Sequence, residues 1–400
     1  MDTPVILFGA FDRHNFGDML FPHVVAAMLP DREPIFTGLA ERDLRADGGH
    51  RVEALSAVAA RLGERPATLI HVGGEILSCD AWQAAVMLAP PGEAQRLVAR
   101  LDARPHEQRE WAARMLGTDA RAPYATAARA AFRGPLRIAY LAVGGVELDA
   151  CDEALRAEVL AALAAADDVG VRDRRTQAQL QAAGIAARLA PDPAVMVADL
   201  FGAKLRARSG RGEVARLREA FPQGYLAVQF SADFGDDETL SRLAAQLDRA
   251  CASTGLGVAL FRAGAATWHD ELDVLQRLAA RMRSGTARVF ASLDVWDICA
   301  LVASARGYCG SSLHGRIVAM AFALPRVNLR HPSGRARTGK QAAFASTWDL
   351  AGMPTVVDID GAAAAIEQAL AADPARLAHV AAQLAARFRE AFAAMHERLG

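Results

Sequence analysis

Ser311, Ser312, Leu313, His314 and Gly315 stand where a strand-like run, Ala305–Cys309, gives way to an apolar segment closed by Pro325. A histidine at a helix start can exchange a proton near neutrality, its ordinary pKa being about 6.5. The N–H groups of Gly310–Ser312 and the dipole of the following helix would favour an anion there. Spacing alone leaves two readings of His314 open, a satisfied helix-start residue or a reactive group.

Arg330, His331, Arg335, Arg337 and Lys340 follow within eleven residues. A basic run is ordinarily a solvated surface, but this one comes directly after the strand-like Arg326–Leu329. Within it, GRARTGKQ fits G-x-x-x-x-G-K. Gln341 stands where a P-loop needs Ser or Thr for magnesium, so the stretch reads as an anion loop and a decoy nucleotide motif.

The first half offers a second group. In ILFGAFDRHNFGDML a strand ends at Phe8–Gly9, and Asn15, Gly17 and Asp18 lie where a helix begins. Asn15 reads as a helix cap; Gly17 permits close approach of a ligand, and Asp18 would project into the cleft at a strand's carboxyl end. The pattern is not G-x-G-x-x-G, which argues against a dinucleotide site. Gly73 and Gly74, before Glu75, and then Gly144 and Gly145 follow apolar runs and could expose backbone N–H groups to an anion. Arg172 and Asp173 close another run, as a surface ion pair or an oriented anion clamp. Asp192, between two prolines, suggests a rigid turn.

The elements that must position these residues alternate. Short β-rich runs read as strands at Pro4–Phe8, Pro34–Thr37, Thr68–Val72, Arg137–Val143, Val169–Arg172 and Ala187–Ala190. Helical patterns lie between most of them, Phe16–Leu29 and Arg51–Leu62 included, and an Arg-rich helical insertion covers 91–133. After the polar stretch KLRARSGRGE (204–213) the alternation resumes with Tyr225–Phe230, Gly257–Phe261, Ala287–Phe290, Ala305–Cys309, Arg326–Leu329 and Thr355–Val357. Such alternation predicts parallel sheets covered on both faces. The expected fold is α/β: two Rossmann-like domains, 1–205 and 206–400, with parallel sheets facing a central cleft and ligands at the carboxyl ends of strands. The halves are alike in architecture but not detectably in sequence.

Bulk properties narrow the function. Four hundred residues suit two domains. With 45 basic and 46 acidic residues there is no global field for nucleic acid or an anionic membrane. The five cysteines (Cys79, Cys151, Cys251, Cys299 and Cys309) form no C-x-x-C pair, so neither a disulfide framework nor a zinc site is expected. The N-terminus lacks the basic start of a signal peptide, and no run reaches the roughly 18–20 apolar residues of a transmembrane helix. The expectation is a soluble, cytoplasmic protein. An alanine-rich C-terminal helix (374–398) could pack back on the first domain or join two subunits as a homo-oligomer.

In this order the motifs resemble the polysaccharide pyruvyltransferase family. The matching pieces are Asn15-x-Gly17-Asp18, Gly73–Gly74, Val171-Arg172-Asp173, Asp192-Pro193-Ala194 and Ser312-Leu313-His314-Gly315 through Ala321, Pro325 and Lys340. The resemblance implies a GT-B-like pair of domains, an N-terminal acceptor side and a C-terminal donor side. It also implies transfer from phosphoenolpyruvate to a sugar of a cell-surface polysaccharide or its lipid-linked precursor, forming a pyruvate ketal. Family members commonly carry Arg where Ser312 stands and Gly where Glu75 stands; Arg316, Arg330 or Lys340 could replace that arginine. His314 would supply the proton or stabilise departing phosphate, Asp18 would be the base, and Asn15 would touch a substrate. The chemistry requires no metal and no cofactor beyond phosphoenolpyruvate as donor substrate. The alternatives are a GT-B glycosyltransferase using a nucleotide sugar, a non-catalytic glycan-binding protein on the same scaffold, and pyruvylation of a small metabolite.

Overall fold

The computed structural model describes residues 3–283, 285–331 and 339–400. Two compact units divide the chain, one running to Pro193 and including Arg387–Gly400, the other Ala194–Ala386. The division lies upstream of the 205/206 boundary expected from the polar stretch at 204–213. That stretch belongs to two helices of the second unit, Val197–Ser209 and Gly212–Ala220, whose buried Leu205, Val214 and Leu217 anchor it.

The first unit holds β1 (Val5–Phe8), β2 (Ile35–Gly38), β3 (Arg42–Asp43), β4 (Arg51–Ala54), β5 (Ala67–Val72), β6 (Leu136–Val143), β7 (Asp168–Val171) and β8 (Arg188–Leu189). Their order is β3-β4-β2-β1-β5-β6-β7-β8. Every pair is parallel except β3 with β4. β1 and β5 are buried along their whole length, as strands covered on both faces must be. Arg51–Ala54 is the correction here: the sequence reads it as a helix start, but Val52 is fully buried and Thr37 and Gly38 pair with Glu53 and Ala54. The helix begins only at Leu55.

The insertion is three helices, Pro91–Leu101, Pro105–Leu116 and Pro123–Ala131. Each opens on a proline, whose missing N–H is one that a first turn does not use. Trp111 packs edge-on against Trp82 with centroids 5.4 Å apart. At the other end of the chain, the helix Pro374–Leu399 brings its last turn to the first sheet. There Arg137 donates to the Leu399 carbonyl and Arg398 lies 3.3 Å from Asp168.

The second unit holds β9 (Tyr225–Gln229), β10 (Gly257–Leu260), β11 (Ala287–Val289), β12 (Gly307–Gly310), β13 (Arg326–Arg330) and β14 (Val356–Asp358). Its sheet is wholly parallel, in the order β11-β10-β9-β12-β13-β14. Among the parallel strands of each sheet the order reverses once, between β1 and β5 in the first and between β9 and β12 in the second. At such points the connections leave on opposite faces and open a crevice at the carboxyl ends of the strands. Among the described residues no helix is long and apolar enough to cross a membrane.

Candidate active site

The Ser311–Gly315 turn leaves β12 at the switch point of the second sheet. Ser312 caps the helix Leu313–Ala321, its hydroxyl accepting the Gly315 N–H at 3.2 Å. Its own N–H donates to Gln229 Oε1 at 2.8 Å, and the Tyr308 hydroxyl donates to its carbonyl at 3.0 Å. Gly315 lies against the Tyr308 ring so closely that a β-carbon could not fit. Ser311 donates its N–H to the Gln229 carbonyl and accepts the Ser231 N–H at its hydroxyl, both at 3.0 Å. Leu313 is buried, and His314 follows as the second residue of the helix, 8% exposed. The N–H groups of Leu313 and His314 belong to the first turn, which an α-helix cannot satisfy from within.

The turn is held by buried polar groups from distant parts of the chain. Gln229 Nε2 donates to both oxygens of Asp270 at 2.8 Å, which fixes its Oε1 toward Ser312. Burial pushes the Asp270 carboxyl up to about 7, against the lowering pull of the Ala263 N–H and Gln229. Asn328 Nδ2 donates to the carbonyls of Gly310 and Ser312 at 2.8 and 3.1 Å, and its Oδ1 accepts from Arg316 at 3.2 Å.

Arg316 is fully buried. Besides Asn328, it donates to Asp349 and to the carbonyls of Pro354 and Thr355. Arg326 is bound to the same Asp349. Arg316 is therefore committed to the interior and does not present its guanidinium to a ligand as the sequence reading allowed. Two guanidiniums and one carboxylate leave one net positive charge linked through Asn328 to the turn, which favours an anion above it.

The exposed cations lie at neighbouring strand and helix ends. Arg330 ends β13, exposed and 3.8 Å from Asp358. Lys340 opens the helix Lys340–Trp348 and is exposed. The next residue, Gln341, donates its Nε2 to the Ser311 carbonyl at 2.6 Å. That bond brings the start of the Lys340 helix beside the His314 turn. Arg335 and Arg337 lie outside the described residues.

In the first unit, Asn15 caps the helix Phe16–Ala27 by accepting the Gly17 N–H at 3.1 Å. Asp18 lies in its first turn, buried, 3.7 Å from Arg13 Nη2. Gly73 and Gly74, at the end of β5, have φ of +81° and +85°, a region in which a β-carbon is strained. A β-carbon on Gly74 would stand 3.6 Å from Asp18 Oδ1, so the loop and the carboxylate share one crevice. The switch point thus unites Asn15, Gly17 and Asp18 with Gly73 and Gly74.

Arg172 sits differently from an open anion clamp. It is 1% exposed, with Nη2 at 2.6 Å from Glu75 Oε2 and Nη1 at 3.0 Å from Asp192 Oδ2. Burial opposes its charge, but Glu75, Asp192 and Asp173 more than offset this and raise its pKa. Asp173 caps the helix Arg174–Ala182, accepting the Thr176 N–H at 2.8 Å. Glu75 also accepts the Val146 N–H at 2.7 Å, and the Gly144 N–H donates to the Gly74 carbonyl at the same distance. Arg172 and Glu75 therefore lock the strand-end loops of β5, β6 and β7 together. Among the described residues no group of three or more His, Cys, Asp or Glu is placed to hold a metal ion.

Gln229, Tyr308, Asp270 and Asn328 escape a sequence reading. The available signal is a polar residue inside an apolar strand, as Gln229 in YLAVQ and Asn328 in RVNLR.

The sequence profile of polysaccharide pyruvyl transferase matches residues 115–333, more than half of the chain. The chain belongs to the polysaccharide pyruvyl transferase family. It is a transferase of polysaccharide biosynthesis. No curated protein sequence matches it. Among solved structures it is similar to UDP-GlcNAc 2-epimerase from Neisseria meningitidis, bound to UDP-GlcNAc, at 10% identity. That match covers 100% of this chain and 99% of the other, with a TM-score of 0.52. The UDP-GlcNAc 2-epimerase from Methanocaldococcus jannaschii matches at 11% identity over 92% of both chains, TM-score 0.51. An α,α-trehalose-phosphate synthase (UDP-forming) from Burkholderia xenovorans, in complex with glucose-6-phosphate, matches at 14% identity over 99% and 100%, TM-score 0.50. These are GT-B enzymes, and at such identities the likeness establishes the GT-B fold of this family member.

Proposed function

We propose that this pyruvyl transferase family member moves the pyruvyl group of phosphoenolpyruvate onto two hydroxyls of a sugar, releasing phosphate and leaving a cyclic ketal. The observation that carries the reading is the Ser311–Gly315 turn at the switch point of the second sheet, in a chain of this family. Phosphoenolpyruvate brings a phosphate and a carboxylate. The helix start at Leu313, the net positive charge beneath it and the exposed Arg330 and Lys340 are the groups that would receive them.

One sugar hydroxyl adds to C2 of the enol as a proton goes to C3. The second hydroxyl then forms another bond to C2 as the C2–O bond to phosphate breaks. Of the two hydroxyl protons, one ends on C3 and the other on phosphate. His314 delivers the proton or steadies the leaving phosphate. The oxidation at C2 and the reduction at C3 cancel, so the reaction takes no redox cofactor. The acceptor is a sugar, oligosaccharide or lipid-linked glycan, and a phosphoenolpyruvate donor places the reaction in the cytoplasm.

The test is a paired measurement on purified protein: thermal shift with phosphoenolpyruvate and with UDP-GlcNAc, and phosphate release from phosphoenolpyruvate with a sugar acceptor. A shift with phosphoenolpyruvate and released phosphate are expected. A shift with UDP-GlcNAc alone overturns the reading in favour of a nucleotide-sugar enzyme. Binding of a glycan without turnover would favour a non-catalytic role.

A further inference from the structure

Arg13 lies in the loop between β1 and the helix Phe16–Ala27, with only 10% of its side chain exposed. Its Nη2 stands 3.7 Å from Asp18 Oδ2, and its guanidinium carbon lies 5.2 Å from the centroid of the Tyr124 ring. Its Nε and Nη1 are buried and, among the described residues, without a hydrogen-bond partner. A buried guanidinium with idle donors is unfavourable enough to need an explanation, and an absent ligand supplies one.

The surrounding charge indicates which ligand. Asp12 is buried beside Arg13 and already accepts the Tyr124 hydroxyl at 2.6 Å and the N–H groups of Leu39 and Ala40 at 2.7 and 3.2 Å. One guanidinium facing two carboxylates, Asp12 and Asp18, leaves no excess positive charge to draw an anion. An alcohol suits such a pair better, because one hydroxyl can accept from the guanidinium and donate to the carboxylate at once. Gly74, which carries no side chain, stands beside Asp18.

We propose that Arg13 and Asp18 together form a subsite for the hydroxyls of a neutral pyranose, with Arg13 as a specificity-determining donor. The proposal rests on the reading that sugar hydroxyls are the acceptors, and assigns their recognition to this edge of the first sheet. One hydroxyl bridges Asp18 and Arg13, and a second accepts from the remaining guanidinium donor.

The Arg13 Nε–H resonance of protein labelled at arginine, assigned by its loss in Arg13→Lys, reads the contact directly. The probes are the methyl pyranosides of glucose, galactose, mannose and N-acetylglucosamine and, separately, phosphoenolpyruvate. At least one glycoside should move the resonance and phosphoenolpyruvate should not. Arg13→Lys keeps the charge beside Asp18 and should bind that glycoside about tenfold more weakly or worse. Arg13→Gln serves as the second variant. If no glycoside moves the resonance, or if phosphoenolpyruvate does, the subsite is wrong. Failure of phosphoenolpyruvate to shift the melt strikes the pyruvyl-transfer reading instead, and the glycoside arm still decides on Arg13.

Discussion

Gln341 Nε2 donates to the Ser311 carbonyl at 2.6 Å, tying the helix that Lys340 opens to the turn that carries His314. This single bond links the basic segment to the Leu-His-Gly block. Lys340→Ala should weaken phosphoenolpyruvate binding about tenfold, as expected for a lost charge-assisted hydrogen bond. Gln341→Ala removes a neutral bond and should weaken it by roughly fivefold. Titration by thermal shift or calorimetry checks both, and a larger effect of Gln341→Ala than of Lys340→Ala would refute this ordering.

His314→Ala should lower phosphate release by about 100-fold or more, the usual contribution of a positioned acid or base. His314 is at the second position of its helix, and the capping bond belongs to Ser312. The variant therefore keeps the capping bond. Turnover that survives the substitution would remove His314 from the chemistry.

Arg172→Ala should be a folding defect before it is a binding defect. Removing the guanidinium leaves the buried Asp192 and the half-buried Glu75 without their cation, and breaking a buried pair typically costs about 3–5 kcal/mol. Chemical denaturation should show that loss. A variant of parental stability with weakened phosphoenolpyruvate binding would instead restore Arg172 as an anion clamp.

The Asp270 carboxyl has a folded pKa of about 7 against an ordinary 3.8, so the folded state holds this proton longer than the unfolded chain. Its contribution to stability therefore falls as pH rises from about 4 to 7, by up to about 4 kcal/mol from this group alone. The stability difference between parent and Asp270→Asn, followed over that window, should move in favour of the variant with increasing pH. A pH-independent difference would show that Asp270 is ionised throughout.

The strand ends that frame the sites were readable in advance, because a buried parallel strand must be a run of apolar residues and its exit is marked by glycine or a helix cap. Phe8–Gly9, Val72–Gly73 and Cys309–Gly310 all follow that pattern. Arg51–Ala54 was not readable, because a strand of four residues running straight into an alanine-rich helix carries no period of its own.

The order of motifs determined by itself the family, the alternation into two α/β units and the residues at the switch points, since each depends on local pattern. Only the tertiary structure decided which cations are open. Arg172 meets Glu75 across 97 residues and Asp192 across 20, Arg316 meets Asp349 across 33, and Ser312 meets Gln229 across 83. An arginine beside a strand end reads the same in sequence whether a carboxylate reaches it or not. Folding brings carboxylates to Arg172 and Arg316, leaves Arg330 and Lys340 at the surface, and leaves two donors of Arg13 idle beside Asp18. The physical reason is that a buried charge must be paired within the fold, and its partner is set by three-dimensional packing rather than by neighbours in sequence.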